Sequence, residues 1–160
     1  MKTLIVCASV SHGNTRKVAD AMADVLDGLV VEPDDVDEEM LASADLVGVG
    51  SGIYGMRYHP TIRTLVNRLP QVEDKKAFVY STSGSPEPPL WPYGRCLARR
   101  LEARGFDALG TFSCRGWDTW LPLRLVGGLN KGRPNDADLA RARSFASGIR
   151  DRMARTGSQV

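Results

Sequence analysis

Apolar residues in this chain fall into two kinds of run. Short, nearly unbroken runs of β-formers occur at Leu4-Ile5-Val6-Cys7-Ala8, Leu29-Val30-Val31, Asp45-Leu46-Val47-Gly48-Val49, Ala77-Phe78-Val79-Tyr80 and Ala108–Cys114. They are too short for helices and predict strands, the central ones covered on both faces. Between them apolar residues recur at three- and four-residue intervals, which predicts helices with one buried face. Val18, Met22, Val25, Leu26 and Leu29 mark the first helix, and Leu29 also opens the second strand. Asp37–Leu41 makes at most a short helix. Ile62, Leu65, Val66 and Leu69 mark another, started by Pro60 and stopped by Pro70. Leu97 and Leu101 mark a further one between Pro92 and Gly105, and the last carries Leu139, Ala142, Phe145 or Ala146, Ile149 and Met153 behind an Asn135 N-cap. Strands alternating with helices predict an α/β fold: a doubly wound, five-stranded parallel sheet between two helical layers, as one domain over residues 1–160.

The loops after the strands of such a sheet share one edge, where ligands bind. Three of these loops are unusual. The first, Ser9-Val10-Ser11-His12-Gly13-Asn14-Thr15, joins a strand to the start of a helix. Unpaired N–H groups and the positive end of the helix dipole face outward there and favour an anion. Ser9, Ser11, Asn14 and Thr15 add donors, and Gly13 permits close approach of the backbone. An ordinary cap needs one such residue, Asn14 or Thr15; four polar side chains around a glycine predict a phosphate cradle. The second loop contains Ser51, Gly52, Ile53 and Tyr54, and the third contains Ser81, Thr82, Ser83 and Gly84. Tyr54, Trp91 and Tyr93 are aromatic candidates for contact with a flat heteroaromatic ring.

Gly50-x-Gly52-x-x-Gly55 spells a dinucleotide fingerprint, but its context fails. Met56-Arg57-Tyr58-His59 separates the third glycine from the helix, and the next strand ends at Tyr80-Ser81 without the acid that would bind a ribose. The first loop lacks the Gly-Lys-Ser/Thr of a P-loop. A receiver domain needs acids where this chain has Ala8-Ser9 and Val49-Gly50.

Composition narrows the field further. The 160 residues carry a net charge of +2, too little to imply nucleic acid as a partner. No apolar run reaches the length of a membrane span. Cys7, Cys96 and Cys114 have neither metal-site nor disulfide spacing and suit a reducing, cytoplasmic setting. The acids of Glu32–Glu39 are read as a helix start rather than a metal site.

The run Ser9-x-Ser11-x-Gly13-Asn14-Thr15 followed by Val18-Ala19 resembles the FMN-phosphate signature of the flavodoxin family. With Ser51-Gly52-Ile53-Tyr54 and Ser81-Thr82-Ser83-Gly84 in the next two loops, the likeness covers nearly the whole chain. It implies a flavodoxin-like sheet of order 2-1-3-4-5 and non-covalent FMN. Ser11, Gly13, Asn14 and Thr15 would hold the phosphate, with Ser9 and His12 beside it, and the second and third loops would enclose the ring. The phosphate loop is one residue longer than the usual form, with His12 as the extra one. Arg57, Arg95 and Arg115 stand near the implied ring site, with Glu87 as the only acid of the second and third loops, so Arg115 is a candidate cofactor contact. The segment from Arg115 to Arg133 is longer than a short-chain flavodoxin needs and is placed either to cover the flavin or to form a surface loop. The implied role is electron transfer between redox partners, whether proteins or small-molecule donors and acceptors. The alternatives are an FMN-dependent oxidoreductase linked to NAD(P)H or another substrate, and a flavin-free binding module. No residue stands out from the sequence as a general base or nucleophile.

Overall fold

A computed structural model describes residues 1–10, 12–90, 92–119 and 127–157. In chain order the elements are β1 (Thr3–Ala8), α1 (Asn14–Leu26), β2 (Gly28–Val31), α2 (Glu38–Ser43), β3 (Leu46–Tyr54), β4 (Arg57–Tyr58), α3 (Pro60–Arg68), β5 (Lys75–Ser83), α4 (Tyr93–Glu102), β6 (Phe106–Arg115) and α5 (Asp136–Gly157). The parallel strands lie in the order β2-β1-β3-β5-β6, which is the expected 2-1-3-4-5 with β4 as an addition. β4 pairs antiparallel with the end of β3, Ile53 opposite Tyr58 and Tyr54 opposite Arg57. That hairpin occupies the stretch read from sequence as a glycine-rich loop.

Alternation along the strands supplies both faces of the core. Leu4 and Val6 of β1 join Val49, Ala77 and Val79 under Ile62, Leu65 and Val66 of α3 and Leu97 and Leu101 of α4. Ile5 and Cys7 join Phe78 and Tyr80 under Val18, Met22 and Leu26 of α1 and Ala142, Ala146 and Ile149 of α5. The sheet is therefore the middle of three layers. Gly48 and Gly50 make this possible: a Cβ on Gly50 would lie 2.5 Å from the Tyr80 ring, and one on Gly48 would enter the Phe78 ring.

Helix ends follow local chemistry. α1 stops at Leu26 because Asp27 turns left-handed (φ 49°), which releases Leu29 to the strand, where it is exposed. Asp37 caps α2 by accepting from Met40 N–H at 2.7 Å. Asn135 and Asp138 cap each other's N–H groups at 3.0 Å at the start of α5, and Arg133 closes on the buried Asp138 carboxylate at 2.6 Å.

Candidate functional site

Strand register brings the unusual loops to one level. Ala8 pairs with Ser51, Ser51 with Ser81, and Ser81 with Ser113, so the carboxyl ends of four strands stand in a row. Just beyond the row is a cleft of about 420 Å³ lined by Asn14 and Thr15, by Gly52–Gly55, by Thr82–Gly84 and by Gly116–Thr119.

The first turn of α1 forms one wall. Its N-cap is Gly13, left-handed at φ 65° and without a side chain to close the turn. Asn14 and Thr15, weighed above as ordinary caps, instead lie inside the helix, and their side chains are turned to neighbouring loops. Asn14 Nδ2 donates to Trp117 O at 2.8 Å, while its Oδ1 is buried without a partner. The Thr15 hydroxyl meets the Thr82 hydroxyl at 2.8 Å, both buried. Ser9 accepts from Arg16 N–H at 3.2 Å. His12 is exposed; its ring stacks on Trp117, and Nε2 meets Thr119 Oγ1 at 2.8 Å. Ser9, His12 and Gly13 do not line the cleft, and Ser11 lies outside the described residues.

The second wall is the β3–β4 hairpin. Both turn residues are left-handed, Gly55 at φ 53° and Met56 at φ 62°, as a two-residue hairpin requires. Each glycine of the apparent dinucleotide fingerprint thus has another use. Gly50 makes room for Tyr80, Gly52 for the Tyr54 ring, and Gly55 for the turn. Ser51 is buried in the strand, where it accepts from His59 N–H at 3.0 Å and donates to Gly52 O at 2.7 Å, so it supports the hairpin and does not border the cleft.

The third wall is the end of β5. Thr82, Ser83 and Gly84 border the cleft, whereas Ser81 points below it, buried without a hydrogen bond. Beside Ser81 stands Tyr58, whose hydroxyl burial pushes up from the usual phenol range. The Gly84 carbonyl accepts from Arg115 Nη1 at 3.2 Å and from Asn130 Nδ2 at 2.6 Å. Arg115 is thereby committed to the backbone and does not line the cleft. Neither do Arg57 and Arg95, nor Tyr93; Trp91 lies outside the described residues.

A fourth wall, Gly116-Trp117-Asp118-Thr119, belongs to the segment read from sequence as either a cover for the site or a surface loop; none of these four was named as a site residue, because the segment has no period to read. The signal available was its Gly and Trp content next to a strand end. The chain returning through 127–133 pins it: Trp117 N–H donates to Arg133 O at 3.0 Å, Asp118 N–H to Leu129 O at 2.8 Å, and the Trp117 indole to Gly127 O at 3.2 Å. Gly84 and Gly116 let the walls close, since a Cβ on Gly84 would enter the Asp118 carboxylate and one on Gly116 would lie 3.0 Å from Asn14 Nδ2. Asp118 is the formally charged side chain among the described residues of the lining, whereas Arg57, Arg95 and Arg115, grouped near the ring site in sequence, are not among them. No cluster of metal-ligating side chains occurs among the described residues, and no described helix is long and apolar enough to cross a membrane.

Comparison with known proteins agrees with this fold. The model of the flavodoxin-domain family matches residues 4–113. An uncharacterized protein of Methanocaldococcus jannaschii is 38% identical over 149 residues, which cover 93% of this chain and 98% of that protein. Among solved structures, oxidised Flavodoxin 2 from Bacillus cereus superposes with a TM-score of 0.73 at 21% identity, covering 95% of this chain and 99% of that one. A flavodoxin from the domain Archaea gives 0.69 at 20% identity, covering 96% and 99%. At such identities these two structures speak for the fold.

Proposed function

Because the chain belongs to the flavodoxin-domain family, we propose that it binds FMN in this cleft and passes electrons between redox partners in the cytoplasm. One observation carries the reading: the start of α1 opens on the same cleft as the ends of β3 and β5 and the segment after β6. The residues present fit the group. Gly13 leaves open space at the helix start, where first-turn N–H groups favour a phosphate. Asn14 holds a buried acceptor without a partner, suited to a hydroxyl of the sugar chain. The cleft volume of about 420 Å³ is of the size that encloses a heteroaromatic ring.

In this reading the backbone N–H groups of Asn14 and Thr15 hold the phosphate end, and the resemblance adds Ser11 and Gly13 of the preceding loop beside them. Gly52–Gly55 and Thr82–Gly84 flank the ring, and Trp117 with Asp118 covers its remaining side. The flavin supplies the electron chemistry; the chain supplies position, charge and exclusion of water. FMN is favoured over FAD because the first loop suits a terminal phosphate and no adenosine site is evident among the described residues.

The test is purification followed by visible spectroscopy and mass analysis of any released cofactor. Yellow protein yielding FMN supports the proposal. Colourless protein that also fails to take up added FMN overturns it. Asp118 favours a second reading, an FMN-dependent oxidoreductase acting on a small molecule, because a carboxylate at the cleft can exchange protons with a bound group. NAD(P)H oxidation with quinone or dye acceptors separates that enzyme from a carrier.

A further inference from the structure

The β3–β4 hairpin borders two cavities. Gly52–Gly55 face the cleft described above, whereas Met56, Arg57 and Tyr58 border a separate groove of about 410 Å³. The other walls of the groove are Arg63 of α3 and Tyr93, Cys96, Leu97 and Arg100 of α4. Those four α4 residues sit at i, i+3, i+4 and i+7 and share one helix face. Tyr58, Tyr93 and Leu97 are buried and make an apolar floor. Arg57, Cys96 and Arg100 are exposed and Arg63 half-buried, which puts three guanidinium groups at the rim.

Among the described residues the lining contains no acid. None of the three guanidinium groups has an ion pair or hydrogen bond among the described residues, whereas Arg16 and Arg133 pair with carboxylates and Arg104 and Arg115 with carbonyls. Glu87, the acid of the neighbouring loop, accepts from Gly94 N–H at 2.8 Å and lies outside the lining, although its charge still reaches the Tyr58 and Tyr93 hydroxyls and raises both. Three cations around one concave, partly apolar surface repel each other, and the arrangement becomes favourable when an anion sits among them. Guanidinium forks match carboxylate and phosphate oxygens in pairs, which a solvated ammonium does not.

We propose that this groove is a binding site for a small organic polyanion, one with at least two phosphate or carboxylate groups and an apolar or planar body. Among the described residues the groove shares no lining residue with the cleft, so the proposal stands apart from the flavin reading. A ligand held there would lie one hairpin away from the cleft.

Cys96 reports on the groove. It is exposed on the rim, while Cys7 and Cys114 are buried. Alkylation of native protein, followed by mass spectrometry, reads Cys96 selectively. Pyrophosphate and citrate serve as phosphate and carboxylate probes, against sodium chloride at matched ionic strength. The expected result is that at least one probe slows Cys96 alkylation by neutral iodoacetamide several-fold. That protection disappears in the combined Arg57→Gln, Arg63→Gln, Arg100→Gln protein and persists in Arg143→Gln, an exposed position on α5. The more protective probe identifies the anion class. Anionic iodoacetate should also lose several-fold in rate relative to iodoacetamide when the three arginines are replaced. Should the triple variant fail to fold, Arg57→Gln and Arg100→Gln, both at exposed positions, carry the comparison singly. Protection no greater than that from matched salt, or protection that survives the arginine substitutions, overturns the proposal.

Discussion

The imidazole of His12 lies on the indole of Trp117, ring centroids 4.0 Å apart and planes 21° from parallel. This contact joins the loop before α1 to the segment after β6, elements about a hundred residues apart in the chain. Asn14 Nδ2 to Trp117 O and His12 Nε2 to Thr119 Oγ1, both 2.8 Å, make the same connection. An aromatic pair of this kind contributes about 0.5–1.5 kcal/mol beyond its burial. His12→Ala is therefore expected to raise amide hydrogen exchange at Trp117–Thr119 while lowering global stability by less than about 1 kcal/mol, since His12 is exposed. Unchanged exchange there would mean that the stack restrains nothing.

The Thr15–Thr82 hydroxyl pair can be weighed without any cofactor. Thr15→Val leaves a buried Thr82 hydroxyl unsatisfied and should cost roughly 1–3 kcal/mol; Thr82→Val should cost about the same. The double variant removes both groups, so it should be clearly less destabilised than the sum of the two. Urea unfolding of the four proteins measures the coupling, and strict additivity would show that the hydrogen bond carries no net stability.

Gly50 gives a sharper test of the core. A methyl group there would meet the Tyr80 ring at 2.5 Å, and Tyr80 is fully buried with its hydroxyl donating to Val6 O at 2.9 Å. The ring cannot move without straining that bond. Gly50→Ala should destabilise by about 3 kcal/mol through overpacking, seen as a lower urea midpoint at unchanged slope. A midpoint equal to wild type would place the Tyr80 ring elsewhere.

These tests also separate what the sequence made legible from what it did not. Strand runs and the α3 limits at Pro60 and Leu69 were readable because period and proline chemistry act locally. The shared edge of the loops followed from topology. The hairpin was not readable: β4 is two residues long, and Gly55-Met56 lacks the Asn-Gly signal of such turns. Ser51 and Ser81 look like loop ligands in sequence, yet the strands run past them and bury both. Arg115 and Asp118 show the same limit for charge. Sequence proximity to the site did not reveal that the arginine turns to Gly84 O and the acid to the cleft.

Two buried thiols give a pH test. Burial pushes Cys7 from 9.0 up to about 11, against a smaller lowering by the neighbouring Tyr80 hydroxyl, and pushes Cys114 up to about 12. Above pH 9 the unfolded chain loses these protons while the native protein keeps them. The native state then binds more protons, so stability falls as pH rises from 9 toward 11–12. Tyr58 and Tyr80, also raised chiefly by burial, act in the same direction above pH 10. Urea midpoints between pH 8 and pH 11 should decline, and the decline should be shallower in Cys114→Ala. Parallel slopes for the two proteins would remove the thiol from the account.

Asp118 sets the last expectation. Arg57, Arg95 and Arg115 stand near the implied ring site in sequence, and a cationic surround there would favour a reduced, anionic flavin. The structure instead turns Arg115 to a carbonyl and Arg57 to the second groove, and leaves Asp118 in the cleft lining. A carboxylate several Å from the ring opposes added negative charge by on the order of 1–2 kcal/mol at the effective dielectric of a protein surface. If FMN occupies the cleft, Asp118→Asn should raise its two-electron midpoint potential by roughly 20–40 mV, the equivalent of that energy. Asparagine keeps the shape, so FMN affinity should change little, which separates a charge effect from a packing one. Arg115→Gln should leave the potential nearly unchanged while loosening the Gly84 loop. A spectroscopic redox titration of the three proteins decides the matter. A drop in potential in Arg115→Gln with none of the predicted rise in Asp118→Asn would restore the cationic surround and reject the acid as the charge the flavin feels.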